Sequence, residues 1–265
     1  MESADRKISV CVALERRLKH CSHMITLGVL PNFDDYSPDE QALIRRAPKI
    51  YYPSAFYADL LDAMGKATFP SYHTYKFAQD KIKQTAMFAL AGIPHPRTRV
   101  FYGQGKMEAI ARLFPYPFIA KKARGSALGR GVYLIRGQED LFEYCKHHNP
   151  AYIQEYLPIE RDMRIVVIGR RVAHAYWRSA GEGDFRTNVA AGGWVDLSPV
   201  PDAALQLALR TAQVCGWDDV GLDICLYQGR CFVLEANMKY GRQGFRAAGI
   251  DYDQLIGQMI NHGEI

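Results

Sequence analysis

The chain has 265 residues, 48% of them apolar and 23% charged, which is an ordinary globular composition with length for one large domain or two modest ones. It contains no run of about 18 apolar residues, which excludes a membrane-spanning helix. The first 20 residues mix Arg, Lys and Glu with short apolar pieces and lack a signal-peptide core, so a cytoplasmic protein is expected. The net charge of +5 is scattered rather than blocked, which suits anionic small molecules at least as well as nucleic acid. Six cysteines without C-x-x-C spacing read as reduced, packed thiols.

The first 75 residues read as a small α/β unit. Residues 24–30 are a candidate strand. Ser37-Pro38-Asp39-Glu40 then supplies an N-cap, a proline at the first helical position and acids in the first turn. Residues 49–52 make a second strand. Ser54 is expected to cap a helix over 55–64, which Gly65 ends. No G-x-G-x-x-G and no G-x-x-x-x-G-K-[ST] occurs, so neither a dinucleotide fold nor a Walker-type loop is supported. Two βα units are too small to bury a core alone, so this segment should pack on the rest of the chain.

Residues 75–91 predict one amphipathic helix carrying Lys81, with Gly92 as its stop. Pro94 and Pro96 make the next stretch an extended connector. A strand over 98–102, a helix over 106–114 and a strand over 116–122 come next, the last ending in Lys121-Lys122. The loop over 123–131 holds Gly125, Ser126, Gly129 and Gly131 with two arginines, ahead of an apolar strand over 132–135. Glycines let backbone N–H groups approach an anion, and a lysine ending the preceding strand adds a point charge. The pattern is that of a phosphate-covering loop, although a plain hairpin loop would look similar.

After a helix over 138–147, a strand over 151–157 contains Gln154, Glu155 and Tyr156. Asp162 and Arg164 alternate with apolar residues along the next strand, Gly169-Arg170 turns the chain, and the returning strand ends at Arg178. A polar loop over 181–188 includes Arg186, Thr187 and Asn188, and Pro201 opens a helix running to 214. Residues 220–237 read as a β-hairpin turning at Gln228-Gly229-Arg230. Alternation puts Asp223, Cys225 and Tyr227 on one face of its first strand and Val233, Glu235 and Asn237 on one face of its second. Asp223 should lie opposite Glu235, with Asn237 two residues on. Facing carboxylates repel unless a cation sits between them, and an all-oxygen set suits Mg²⁺. The alternative is a solvated hairpin face with unrelated acids. A last helix over 251–261 closes the chain.

Taken in order, Lys81, Lys121 with its Gly-rich loop, Gln-Glu-Tyr at 154–156, Arg-Asp-x-Arg at 161–164, Arg178, Gly-Asp-Phe-Arg-Thr-Asn at 183–188 and the Asp223/Glu235/Asn237 set resemble the ATP-grasp fold, and more narrowly the RimK-type ligases. Gly-Ile-Pro-x-Pro-x-Thr at 92–98 and Gly-Ile-Asp at 249–251 strengthen the resemblance. It implies an α+β protein, with an α/β N-terminal domain over 1–75 and an ATP-grasp domain over 76–265. The latter would divide into a small lobe (76–150) and a C-terminal lobe (151–265) that sandwich ATP. By resemblance, Lys81 and Lys121 contact the phosphates, the 125–131 glycines and Ser126 cover them, and Gln154, Glu155 and Tyr156 read adenine. Asp162 binds ribose. Arg178 neutralises the γ-phosphate and transferred group. Arg186, Thr187 and Asn188 line the phosphate and acyl end, with Arg178, Arg186 and Asn188 as catalytic groups. Asp223, Glu235 and Asn237 hold Mg²⁺, or Mn²⁺ in its place.

The implied reaction joins a carboxylate to an amine through an acyl phosphate, on small-molecule or peptide substrates, with neither membrane nor nucleic acid as partner and a homo-oligomer compatible with it. Alternatives are another ATP-grasp chemistry, such as carboxylate–thiol or peptide-modifying ligation, and a non-catalytic ATP-binding regulatory module. Two departures from the family pattern stand out. Tyr240 occupies the place of a proline, and Ser179 follows Arg178 where a second arginine is usual. The histidines show no metal-ligand spacing, and Trp177, Trp194 and Trp217 read as core or interface anchors.

Overall fold

The computed structural model describes residues 11–21, 24–125, 131–179 and 194–265. The chain divides into two compact units, Met1–Lys76 with Ile250–Ile265, and Phe77–Gly249. In the first unit, β1 (Cys11–Ala13), β2 (Met24–Thr26), β3 (Lys49–Tyr51) and β4 (Ala67–Phe69) form a parallel sheet in the order β2-β1-β3-β4. Helices α1 (Pro38–Arg46), α2 (Ser54–Ala63) and α3 (Tyr72–Lys76) belong to the same unit, whose core is Val12, Leu14, Ile44, Ile50, Tyr57 and Leu61. Each strand is three residues long, which is why β1 and β4 carry no readable alternation in the sequence. The α1 cap forms as a full capping box between Ser37 and Glu40. Ser54 does not cap α2. It lies inside the helix at φ +69°, its buried hydroxyl has no hydrogen-bond partner among the described residues, and Pro53 takes the N-cap position.

The C-terminal helix α9 (Tyr252–Asn261) packs in this first unit, whereas its sequence position groups it with the second. Cys21 Sγ reaches the Asp253 carbonyl, and the Tyr51 hydroxyl donates to the Ile265 carbonyl at 3.2 Å.

The second unit starts with a break. The single helix expected over 75–91 is interrupted. Gln79 turns left-handed at φ +57°, and Asp80 N-caps a new helix, α4 (Lys81–Leu90), by accepting from the Lys83 N–H. Lys81 therefore sits at the first turn of a helix rather than in mid-helix. A four-stranded antiparallel sheet comes next in the order β5-β8-β6-β7, from β5 (Thr98–Phe101), β6 (Phe118–Lys121), β7 (Val132–Ile135) and β8 (Ala151–Glu155). Its core is filled from α5 (Lys106–Leu113) and α6 (Gln138–His147) by Ile110, Leu141 and Tyr144 against Phe118 and Ile153.

The larger sheet is antiparallel, in the order β11-β10-β9-β12-β13, from β9 (Arg161–Ile168), β10 (Arg171–Ser179), β11 (Trp194–Asp196), β12 (Asp219–Tyr227) and β13 (Arg230–Asn237). On one face Met163, Ile165, Val167, Leu222, Ile224 and Val233 pack under α7 (Asp202–Cys215), Trp217 and Phe88. Ala204, Ala208 and Ala212 are the residues of α7 in that core, small enough for close approach to the sheet. On the other face a short helix, α8 (Gln243–Ala247), lies against β10, where Gly244 meets the Tyr176 ring. Among the described residues no helix is long and apolar enough to cross a membrane.

Candidate active site

The site is the second face of the larger sheet. Register places Arg178 of β10 opposite Asp162 of β9, Arg164 of β9 opposite Asp223 of β12, and Asp223 opposite Glu235 of β13. Side chains of directly paired residues share a face. A row of charged side chains, with arginines and acids interleaved up to Asp223 and a second acid beyond it, therefore crosses four strands.

One irregularity builds the end of that row. The hairpin turns on two residues, Gln228 and Gly229, both at positive φ (48° and 73°), so Tyr227 pairs with Arg230. A regular ladder from that turn would set Leu234 opposite Asp223. Instead the register shifts between Asp223 and Ile224, leaving Leu234 as the extra residue of a β-bulge and bringing Glu235 opposite Asp223. The expected opposition of the two carboxylates holds, but its route differs from simple alternation about a three-residue turn. Val233, expected beside Glu235, is fully buried in the core on the opposite face, because the bulge inverts the alternation between them.

The charges are tightly engaged. Arg178 donates to Asp162 from Nε at 2.8 Å and from Nη2 at 2.6 Å, a bidentate pair. Its Nη2 also lies 3.0 Å from Asp223 Oδ2. Arg164 holds the other side of Asp223, with Nε at 2.5 Å from Oδ1 and Nη2 at 3.3 Å from Oδ2. Asn237 Nδ2 donates to Asp223 Oδ2 at 3.1 Å, and Lys81 Nζ donates to Glu235 Oε1 at 2.8 Å. Burial alone would raise the Asp223 carboxyl. The Arg164 and Arg178 guanidiniums outweigh it and hold that carboxyl below the usual range. For Arg178 burial acts the other way, yet Asp162 and Asp223 together keep it firmly protonated.

The lysines come from one junction. The Lys81 N–H donates to the Ala123 carbonyl, Arg124 Nε donates to Asp80 at 2.9 Å, and the Gly125 N–H donates to the Gln79 carbonyl. The α4 N-terminus is thereby clamped to the end of β6, next to Lys121. Gln84 pins α4 to β13 as well, exchanging two hydrogen bonds with the Ala236 backbone. Lys121 is 7% exposed. Burial pushes its pKa down. Glu235 opposes that shift and Lys81 adds to it.

Gln154 is buried and donates to Thr98 Oγ1 at 3.0 Å. Glu155 ends β8, and its carboxylate accepts from the Arg97 N–H at 2.6 Å, while Tyr156 is half-buried just beyond it. Asp162 is brought to Arg178 rather than turned outward, at 2% exposure. Gly125 (φ +63°) and Gly131 (φ +81°) flank the Gly-rich loop, and a Cβ at Gly131 would lie 2.7 Å from Lys122 Cβ. Ser126, Gly129, Arg186, Thr187 and Asn188 lie outside the described residues. Arg164 has no role predicted from the sequence, yet it is the arginine held closest to Asp223. Its spacing of two from Asp162 on a strand is the signal that points to it.

Asp223, Glu235 and Asn237 offer two carboxylates and an amide at one end of the row, a donor set that fits a hard divalent cation such as Mg²⁺. Among the described residues no cluster of three or more His, Cys, Asp or Glu is arranged for a metal, so the amide of Asn237 is needed to complete a set of three.

Comparison with known proteins gives the family and the fold. The RimK-like ATP-grasp domain family matches residues 78–260. Beta-citrylglutamate synthase B of Danio rerio is 31% identical over 179 residues, which is 64% of this chain and 44% of that protein. A probable alpha-L-glutamate ligase of Enterobacter sp. (strain 638) is 29% identical over 194 residues, 69% of this chain and 63% of that protein. The chain thus covers less than two thirds of the length of either relative. In fold it resembles the ATP-grasp ligase PsnB, solved with a phosphomimetic variant of a minimal precursor, Mg and ADP, at a TM-score of 0.71 and 17% identity over 97% of this chain and 99% of that one. Because the family match runs from the α4 lysine through the charged row to the β12–β13 hairpin, the chain belongs to the RimK-like ATP-grasp family.

Proposed function

We propose that the protein is an ATP-dependent carboxylate–amine ligase. The observation that carries this reading is the convergence of Lys81, Lys121, Arg164 and Arg178 on Asp223, Glu235 and Asn237, with no competing nucleophile–base pair needed. Phosphoryl transfer to a carboxylate requires positioning and charge stabilisation more than covalent chemistry. Here the basic groups supply it. Lys121, a buried residue, suits a phosphate oxygen. Lys81 suits a second one, at the N-terminus of α4, where the helix dipole also favours an anion. Arg178 is the group that would stabilise the γ-phosphate as the substrate carboxylate attacks it.

Asp223, Glu235 and Asn237 would hold Mg²⁺, or Mn²⁺ in its place, whose contribution when bound is to neutralise phosphate charge. The carboxylate oxygen attacks the γ-phosphorus and ADP leaves, giving an acyl phosphate. The amine then attacks the acyl carbon, phosphate leaves, and the amine gives up its proton. Gln154, Glu155 and Tyr156 would receive the adenine, and Arg186, Thr187 and Asn188 the phosphate and acyl end. Asp162, expected at the ribose, is buried with both oxygens on Arg178, so it would hold that arginine instead. Both relatives compared above carry glutamate in their names, so glutamate is the first amine to test. The six free thiols fit a reducing cytoplasm.

The test is ADP release with pooled carboxylates and amines, glutamate included, followed by mass spectrometry of the product. A product heavier than the acid by the amine less water is expected, with ADP formed in equal amount. Asp223→Asn and Glu235→Gln should each abolish Mg²⁺-dependent ADP formation. Full turnover in either variant would remove the metal assignment.

A further inference from the structure

Asp223 is gripped from two sides, and the two arginines differ in what else holds them. Arg178 is shared, since Nε and Nη2 both reach Asp162 and Nη2 also touches Asp223 Oδ2. Arg164 forms its hydrogen bonds with Asp223, spanning both carboxylate oxygens with its closest contact on Oδ1. The stem of Arg164 is itself wedged. A Cβ built on Gly221 would lie 2.9 Å from Tyr240 Cβ and 3.1 Å from Arg164 Cδ, so Tyr240 and Arg164 both crowd onto this glycine. Tyr240 is anchored beyond it, its hydroxyl donating to Asp219 Oδ1 at 2.5 Å. Asp219, Gly221 and Asp223 alternate along β12 on the same face. Tyr240 thus packs beside the arginine that grips the aspartate.

Resting on the metal–nucleotide reading above, we propose that Arg164 is a positioning residue for Asp223, locked by Tyr240 across Gly221, which fixes the orientation of the carboxylate that would take the cation. Arg178 and Asn237 meet Asp223 at Oδ2, whereas Arg164 is the residue that bonds both oxygens and so sets the plane of the carboxylate. Removing a group that orients a metal ligand lowers metal affinity by about 10- to 100-fold. The fork of Arg also cannot be reproduced by the single ammonium of Lys. A competing role makes the opposite prediction: if Arg164 merely blocked Asp223, its loss would tighten metal binding.

The experiment is Mn²⁺ binding by electron paramagnetic resonance with the whole chain and saturating ADP, alongside ADP affinity without metal by calorimetry. Arg164→Gln should weaken Mn²⁺ binding by about tenfold or more and weaken metal-free ADP binding by clearly less than that. Arg164→Lys should fall between that variant and the unaltered chain. Tyr240→Phe, which keeps the ring over Gly221 and removes the Asp219 hydrogen bond, should weaken Mn²⁺ by less than Arg164→Gln does. Unchanged or tighter Mn²⁺ binding in Arg164→Gln overturns the proposal, as does an equal loss of metal-free ADP binding. If the unaltered chain bound ADP but no Mn²⁺, the metal assignment would fall and this proposal with it. If it bound neither, the nucleotide reading would fall as well.

Discussion

Lys121 shows how much one residue can carry. It ends β6 as a residue only 7% exposed, with its pKa pushed down by desolvation. A lysine whose folded pKa is lowered disfavours the folded state below its ordinary value, because the unfolded chain binds the proton more readily. The charge there does not serve stability, which is consistent with the phosphate role proposed for it. Lys121→Met should weaken ADP binding by about tenfold or more, the size of a lost hydrogen bond between charged groups. Its thermal unfolding temperature at neutral pH should be equal or higher. A lower unfolding temperature together with unchanged ADP affinity would make Lys121 a structural residue. Asp162 and Arg178 present the opposite case. Each supplies the other's partner, so truncating one leaves a buried charge and costs about 3–5 kcal/mol.

At the scale of elements, the second face of the large sheet works because its neighbours approach closely where they must. Helix α8 lies on β10 through Gly244, where an added Cβ would sit 2.0 Å from Tyr176 Cε1. Tyr176 is two residues before Arg178 on the same face, and it is buried. Gly244→Ala should therefore destabilise the protein by about 1–3 kcal/mol through overpacking, measured by urea unfolding. A change under about 0.5 kcal/mol, the range of ordinary surface substitutions, would show that α8 moves aside freely. The β-bulge at Leu234 is the other decisive local feature. It bends the outer strand and lets Val233 fill the core while Glu235 faces the site.

Across the whole molecule, ionisation should confine stability to a band of pH. The Asp223 carboxyl is held low, so its contribution is fully present above the unfolded value of about 3.9 and is lost as pH falls through its lower folded value. On the alkaline side, burial pushes the Cys215 and Cys225 thiols up to about 12 from 9.0. Their contribution is complete below the unfolded thiol value and is lost progressively as pH rises toward the folded one. Urea unfolding across pH should give a plateau through neutrality with a loss on each side. Cys215→Ala with Cys225→Ala should flatten the alkaline arm. An unaltered alkaline slope in that double variant would assign the loss to the buried tyrosines, of which Tyr51 and Tyr152 also rise to about 12.

The sequence by itself determined the family and the order of most elements, and it proposed residues for a nucleotide and a metal, because these are local chemistry: strand alternation, an N-cap at Ser37, glycines beside Lys121, and acids twelve positions apart on a hairpin. It could not show that Lys81 opens a helix, since the break at Gln79 comes from a left-handed backbone that no glycine announces. Nor could it show that Val233 and Glu235 point to opposite faces, because a bulge is settled by what each face must bury. The pairing of Arg164 with Asp223 and the brace of Tyr240 were also beyond it. Those contacts join residues tens of positions apart, and only the packing of β9 against β12 with Gly221 between brings their charges into reach.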